Sequence, residues 1–108
     1  MNDVQAVRAL AALAQPARLH VFKLLVVAGR KGVTPSQLSV ALDIPASSLS
    51  FHLKELMSAD LVTQERDGRH LICRAQLGHM NDLLRFLTAN CCEGEPCLDA
   101  QSIACTTC

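Results

Sequence analysis

Two short amphipathic stretches, joined by a tight connection, constrain the fold of this chain more than any other feature. TPSQLSVALDI (residues 34–44) favours a short helix, because Thr or Ser near its start can cap it and Pro35 fits its first turn. PASSLSFHLKELMSADL (residues 45–61) follows at once and favours a second helix. Two short helices in immediate succession predict a helix-turn-helix, with its turn at Asp43-Ile44-Pro45.

The second of these helices has two different faces. Leu49, Leu53 and Leu56 form an i, i+4, i+7 stripe that would face the core. A recognition helix places its first exposed turns against base edges in the major groove, and short hydroxyls and a lysine suit that position. Phe51 is an unusual aromatic on the polar side, where it either contacts a thymine methyl or folds back onto the body. The residues on the side opposite the leucines are Ser47, Ser48, Phe51 and Lys54.

A β-hairpin is predicted after the two helices. Leu61-Val62-Thr63 leads into Asp67-Gly68, which is a strong hairpin signal, and Leu71-Ile72-Cys73 leads out of it. Cys73, in this apolar strand, is expected to be a small core residue. A hairpin in this place would act as a wing and bring its basic residues to the DNA backbone. The charged residues at its tip are Glu65, Arg66, Arg69 and His70.

Three further helices complete the pattern. Apolar residues recur at helical spacing in VQAVRALAALA (4–14), ARLHVFKLLVVAG (17–29) and LGHMNDLLRFLTAN (77–90). The first of these has almost no polar face, so we expect it to be buried against a second subunit. The expected fold class is therefore mainly α with a β-hairpin, in the element order of a winged helix-turn-helix.

Length and composition exclude several classes of protein. At 108 residues the chain is long enough for one domain but not for two. No apolar run reaches the roughly 18 residues that a membrane span needs, and the N-terminal stretch lacks the features of a signal peptide. We therefore expect a cytoplasmic protein with no membrane partner, in which the cysteines stay reduced.

Charge divides the chain into two parts. Residues 1–90 carry all ten Lys and Arg against seven Asp and Glu, a balance of +3. Residues 91–108 carry three acidic residues and no basic one, a balance of −3. A mildly basic body permits nucleic-acid binding. We therefore expect a DNA-binding and dimerisation domain over residues 1–90 and a separate, cysteine-rich functional tail over residues 91–108.

The chain resembles the ArsR/SmtB family of metal-sensing bacterial repressors over roughly residues 7 to 90. The resemblance is carried by ALAQPARLHVFKLL, SSLSFHLKELMSADLV and RDGRHLICR. It implies a homodimer, built from the first and last helices, that binds a palindromic operator in double-stranded DNA and leaves it when an inducer binds. The residues then expected to contact DNA are Ser47, Ser48, Ser50, Phe51, His52 and Lys54 on the recognition helix and Arg66, Arg69 and His70 on the wing.

Two inducer sites known in the family are missing from this sequence. Some members carry a CxC arsenic site in the helix before the recognition helix, and here Ser39 and Ala41 stand in those places. Other members carry a zinc site on the final helix that begins DxH, whereas LGHMNDLLRFL offers only His79 and Asp82. The inducer is therefore expected to bind elsewhere.

The tail offers three closely spaced thiols in LTANCCEGEPC, namely Cys91, Cys92 and Cys97. Thiolates select soft ions, and trivalent arsenic and antimony bind three sulfurs in a pyramid. Gly94 and Pro96 are turn-forming residues that can bring the three thiols together. NCCEGEPC also resembles the C-terminal end of an arsenic-responsive subset of the family. We therefore expect As(III) or Sb(III) as the inducer at these three cysteines, and no organic cofactor.

Other uses of the thiols stay open. Cys105 and Cys108, in CTTC, have the spacing of a zinc knuckle and can complete a tetrahedral zinc or cadmium site. Oxidation can instead pair Cys91 or Cys92 with Cys97 or Cys105, or the cysteines can be incidental. An enzyme is not expected, because CTTC opens no helix and no Gly-rich anion cradle precedes one. A pure dimerisation module would leave the serine-rich helix and the wing unexplained.

Overall fold

A computed structural model gives the fold of residues 1–89, which are the residues that the structure describes. Five helices and one antiparallel hairpin form a winged helix-turn-helix, which confirms the predicted fold class. The predicted tail, residues 91–108, lies outside the described residues. The elements in chain order are α1 (Asp3–Leu13), α2 (Pro16–Ala28), a 3-10 turn (Gly29–Lys31), α3 (Pro35–Leu42), α4 (Ala46–Ser58), β1 (Val62–Asp67), β2 (His70–Ala75) and α5 (Leu77–Thr88).

Local side-chain chemistry fixes where the helices begin. At the start of α3, the Thr34 hydroxyl accepts a hydrogen bond from the Gln37 backbone N–H, and the Gln37 side chain accepts one from the Thr34 N–H. Asn2 and Gln5 make the same reciprocal pair at the start of α1. Such capping boxes satisfy backbone donors that have no partner within the helix. The boundaries of α1 and α3 are therefore encoded locally.

The core is organised around α4, the second helix of the helix-turn-helix. This helix packs against α1, α2, α3 and β1. Leu49, Leu53 and Leu56 are each at most 2% exposed, so the predicted inward stripe is buried. Burying a leucine side chain contributes about 1.5–3 kcal/mol, which makes this stripe a large share of the stability of a small domain. Burial of the stripe also fixes which side of α4 faces outward.

The first helix has two apolar faces, and residues 1–89 cover only one of them. Ala6, Ala9 and Ala12 are buried, which lets α1 approach its neighbours closely. Val4 and Val7 are 70% and 64% exposed on the remaining surface.

In residues 1–89, no single helix is long and apolar enough to cross a membrane, and α1 and α2 pass that test only as a pair bent by 100°.

The wing is attached to the loop before α3 by backbone and side-chain hydrogen bonds. Val33 and Cys73 exchange two backbone hydrogen bonds of 2.9 and 2.8 Å. The Arg74 Nε donates to the Arg30 carbonyl oxygen at 2.7 Å, and its Nη1 pairs with the Glu65 carboxylate at 2.7 Å. These contacts hold the hairpin in a defined orientation relative to the helix-turn-helix.

Gly32 is required where the wing meets the loop. Its φ is +71°, and an added Cβ would collide with the Ile72 side chain and lie 2.8 Å from the Cys73 carbonyl oxygen. Gly29 has a similar φ of +63°, but an added Cβ there meets nothing within 4 Å. Comparing a substitution at Gly32 with one at Gly29 therefore distinguishes the cost of steric collision from the cost of backbone strain.

We expect Gly32→Ala to destabilise the protein more than Gly29→Ala. Both substitutions carry a backbone cost of about 1–3 kcal/mol, because this region of φ and ψ suits glycine. Only Gly32→Ala adds a collision, which costs a further 1–3 kcal/mol or so. Urea unfolding of both variants at one protein concentration measures the difference. Equal losses in the two variants would show that the wing does not press against Gly32.

Candidate nucleic-acid interface

The outward face of α4 is polar except for one aromatic ring. Ser47, Phe51 and Lys54 follow one another at i, i+4 and i+7, directly opposite the buried leucines. All three are exposed, as are the flanking Ser48 and Ser50. Neither α3 nor the first nine residues of α4 contain an acidic residue. This surface can therefore approach a polyanion without charge repulsion from its own helices.

The wing tip is exposed, and its two arginines outnumber its one carboxylate, Asp67. Arg66, Arg69 and His70 are all exposed at the turn between β1 and β2. The Glu65 carboxylate forms an ion pair with Arg74. Within residues 1–89, no carboxylate forms an ion pair with Arg66, Arg69 or Lys54. Their charges are thus available to an external anion.

A cleft of about 470 Å³ separates the wing tip from the start of α3. Its walls are residues 34–37 on one side and residues 69–71 on the other. A second cleft, of about 290 Å³, lies between α3 and α4, and Pro35 and Ser36 line both clefts. The outward surface is therefore continuous from Ser50 on α4, across Ser36 on α3, to the wing. Sequence patterns did not indicate that α3 belongs to this surface, because only the fold brings α3 next to the wing.

Two side chains contact the Phe51 ring, one from α2 and one from α4. The Arg18 guanidinium, from α2, lies 6.0 Å from the centre of the Phe51 ring. The His52 ring meets the Phe51 ring edge to face, with centroids 5.9 Å apart. The Arg18 Nε and the His52 Nδ1 are buried, and neither makes a hydrogen bond within the described residues 1–89. Sequence patterns did not single out Arg18, because its neighbour Phe51 is 33 positions away.

The predicted site residues fall into three groups in the structure. Most of them lie together on the outward face of α4 or at the wing tip, and their roles in DNA binding stay predictions. His52 differs, because it is half-buried and packs against Phe51. The predicted metal ligands, Cys91, Cys92 and Cys97, lie outside the described residues, as do Cys105 and Cys108.

The described part of the chain offers little to a metal ion. No group of three or more His, Cys, Asp or Glu side chains comes together within residues 1–89. Ser39, at one of the family's CxC positions, donates from its hydroxyl to the Ile44 carbonyl oxygen at 2.5 Å. That hydrogen bond closes the turn between α3 and α4. Ser39 therefore has a structural role in this chain.

Cys73 is the cysteine of the core, as its apolar surroundings predict. It is fully buried on β2, and its sulfur accepts a hydrogen bond of 3.4 Å from the Gln64 Nε2. Burial raises the pKa of the Cys73 thiol, an effect that the Gln64 hydrogen bond partly offsets. The thiol therefore stays protonated and unreactive at neutral pH.

We expect Cys73 to be protected from thiol reagents in the folded protein. A chain in which the other five cysteines are replaced by serine leaves Cys73 as the single thiol. Its reaction with a disulfide reagent at pH 8 should be at least about 100-fold slower in the folded chain than in urea, because attack requires an exposed thiolate. Equal rates in the two states would contradict the buried position of Cys73.

Comparisons with known proteins agree with this geometry. The helix-turn-helix domain family matches residues 13–65. The structure superposes on an ArsR-like transcriptional regulator from Rhodococcus sp. RHA1 with a TM-score of 0.74, at 25% identity over 84% of this chain and 83% of that chain. It superposes on a possible transcriptional regulator for arsenical resistance with a TM-score of 0.63, at 28% identity over 75% and 81% of the two chains.

A third similar structure is a homodimeric winged helix-turn-helix DNA-binding domain from Mycobacterium bovis, described as a possible ArsR-family regulator. It gives a TM-score of 0.63 at 21% identity, over 92% of this chain and 97% of that chain. No curated protein sequence matches the chain. The fold and these comparisons together define a winged helix-turn-helix domain. Its fold is the one found in transcriptional regulators of the ArsR family.

Proposed function

We propose that this protein is a transcriptional repressor of the ArsR family that binds operator DNA as a homodimer and releases it when As(III) or Sb(III) binds Cys91, Cys92 and Cys97. The observation that carries the DNA-binding part is the continuous outward surface of α4, α3 and the wing. It presents hydroxyls, Lys54 and the arginines of the wing tip, and neither α3 nor the first nine residues of α4 contribute a carboxylate. Basic side chains and hydroxyls supply most phosphate contacts in protein–DNA complexes.

The apolar surface of α1 that residues 1–89 leave exposed supports the dimer. Val4, Val7 and Leu10 are exposed on α1, and Leu87, 53% exposed, lies on α5, which packs against α1. Several exposed apolar residues on two neighbouring helices are typical of a subunit interface. The similar domain from Mycobacterium bovis is homodimeric. A two-fold dimer through α1 and α5 would present two copies of α4 to successive major grooves.

The position of the three cysteines in the chain supports their role as the inducer site. Cys91 and Cys92 follow the last residue of α5, Thr88, by only three and four positions. A ligand that binds there acts on the end of a helix that belongs to the proposed dimer interface. If the ion binds more tightly to the dimer that is free of DNA, ion and DNA weaken each other's binding, typically by 1–3 kcal/mol or so.

Zinc or cadmium is the alternative inducer, and thiol oxidation is a second alternative for the same fold. CTTC favours zinc, because its two thiols can complete a four-coordinate site together with two upstream cysteines. Trivalent arsenic needs only three thiols. Substitutions at Cys91, Cys92 and Cys97, compared with substitutions at Cys105 and Cys108, therefore distinguish an arsenic site from a zinc site.

We expect Lys54→Ala to weaken DNA binding at every sequence by a similar factor. Each dimer would lose two phosphate contacts, so the slope of log affinity against log salt should become shallower by about 1.8. Fluorescence anisotropy with a duplex selected by the protein from random DNA measures both effects. Lys23→Ala is the matched control, because Lys23 is exposed on α2 outside the proposed surface. Identical salt slopes for the two variants would contradict the placement of Lys54 at DNA.

We expect serine at Cys91, Cys92 or Cys97 to keep operator binding and to abolish its release by arsenite. Each substitution removes one of the three sulfurs that a pyramidal site needs. Cys105→Ser and Cys108→Ser are the matched controls and should still release DNA with arsenite. The same anisotropy assay, with reduced protein and one equivalent of arsenite per chain, measures release. Release that depends on Cys105 and Cys108, and that zinc triggers better than arsenite, would instead establish the zinc alternative.

A further inference from the structure

We propose that Phe51 reads thymine in the operator through the C5 methyl group that thymine exposes in the major groove. This inference rests on the proposed DNA binding and adds a specificity-determining residue to it. The chain has only three phenylalanines, and the Phe51 ring is 55% exposed to solvent. Isolated exposed apolar residues are common on protein surfaces. Exposure alone therefore does not assign a role to Phe51, whereas its position, its contacts and its chemistry do.

The position is at the centre of the outward face of α4. Phe51 stands one helical turn after Ser47 and about one turn before Lys54, and it points away from the buried Leu49 and Leu53. When α4 enters a major groove, this part of the helix comes nearest the base edges. The flanking residues are short or flexible, so they leave the ring as the bulkiest projection of that face.

The contacts restrict how the ring can move. The Arg18 guanidinium approaches the ring from α2 at 6.0 Å, within the range of a cation–π contact. The His52 ring lies against it at 5.9 Å with an interplanar angle of 64°. Both neighbours are half-buried and belong to the body of the protein, so they support the ring while 55% of it stays exposed. A ring supported in this way loses little conformational freedom when it meets DNA.

The chemistry of the ring leaves one base group as its partner. A phenyl ring has no hydrogen-bond donor or acceptor, so it cannot pair with the polar groups of guanine, adenine or cytosine. The thymine C5 methyl is the apolar group that a natural base pair displays in the major groove, and phenylalanine is among the side chains that contact it. Lys54 and the hydroxyls beside the ring are left for phosphates and polar base edges.

The test replaces thymine by uracil, which removes the methyl and keeps the carbonyl and the base pairing. The full-length protein first selects its preferred duplexes from a random pool. The best duplex is then synthesised with deoxythymidine or with deoxyuridine throughout. Burying one methyl-sized group corresponds to about fourfold in affinity, so one contact per half-site gives about 15-fold for the dimer. We expect the protein to bind the thymine duplex more tightly than the uracil duplex by about that factor.

Two variants assign the effect to the ring. Phe51→Ala should bind both duplexes equally, with about the affinity that the unaltered protein has for the uracil duplex. Val27→Ala removes an apolar side chain of α2 that is 88% exposed and lies outside the proposed surfaces, so it should keep the full preference for thymine. Thermal unfolding of both variants shows that they are folded.

Three results are distinguishable. Loss of the thymine preference in Phe51→Ala alone supports the inference. Equal binding of both duplexes by the unaltered protein overturns it, and this is the result expected if the ring instead inserts between base pairs. A Phe51→Ala variant that still prefers thymine also overturns it. Failure of the unaltered protein to enrich any sequence from the pool would instead contradict the proposed DNA binding.

Discussion

Burial of one leucine stripe on α4 is the interaction on which the rest of the structure depends. Leu49, Leu53 and Leu56 lock this helix against four other elements, and by doing so they determine which residues face outward. A rotation of α4 that exposed the leucines would lose several kcal/mol of hydrophobic stabilisation. Ser47, Phe51 and Lys54 therefore form the outward face as a consequence of packing on the opposite side.

The orientation of the wing depends on a second, smaller set of contacts. The Val33–Cys73 backbone hydrogen bonds and the approach of Ile72 to Gly32 join the hairpin to the loop before α3. Because the same loop leads into α3, these contacts tie the wing to the start of the helix-turn-helix. At the other end of the chain, α5 connects the apolar surface of α1 to the cysteines that follow it. In the proposed repressor, the DNA surface is formed by α3, α4 and the wing, and the inducer site follows α5 in the sequence.

Periodicity and turn chemistry were sufficient to predict most of the fold. The helix predicted over residues 4–14 spans Asp3–Leu13, because helical spacing is a pattern of neighbouring residues. The hairpin predicted at Asp67-Gly68 forms with its two turn residues one position later, at Gly68 and Arg69, because Asp67 still pairs with His70. The helix predicted to end at residue 90 ends at Thr88. The contact of Arg18 with Phe51 and the approach of the wing to α3 could not be predicted, because each joins residues more than 30 positions apart. Long-range contacts of this kind depend on how the helices cross, which a single sequence does not state.

The most direct test of the proposed repressor is a titration of its reactive thiols with arsenite, in the presence and absence of a saturating operator duplex. The proposal predicts that one equivalent of arsenite per chain protects three thiols, and that DNA weakens arsenite binding by the same factor by which arsenite weakens DNA binding. Zinc in parallel should protect the thiols only weakly. Arsenite affinity that is unchanged by DNA, or protection of four thiols by zinc and few by arsenite, would contradict the proposed inducer and its coupling to DNA release.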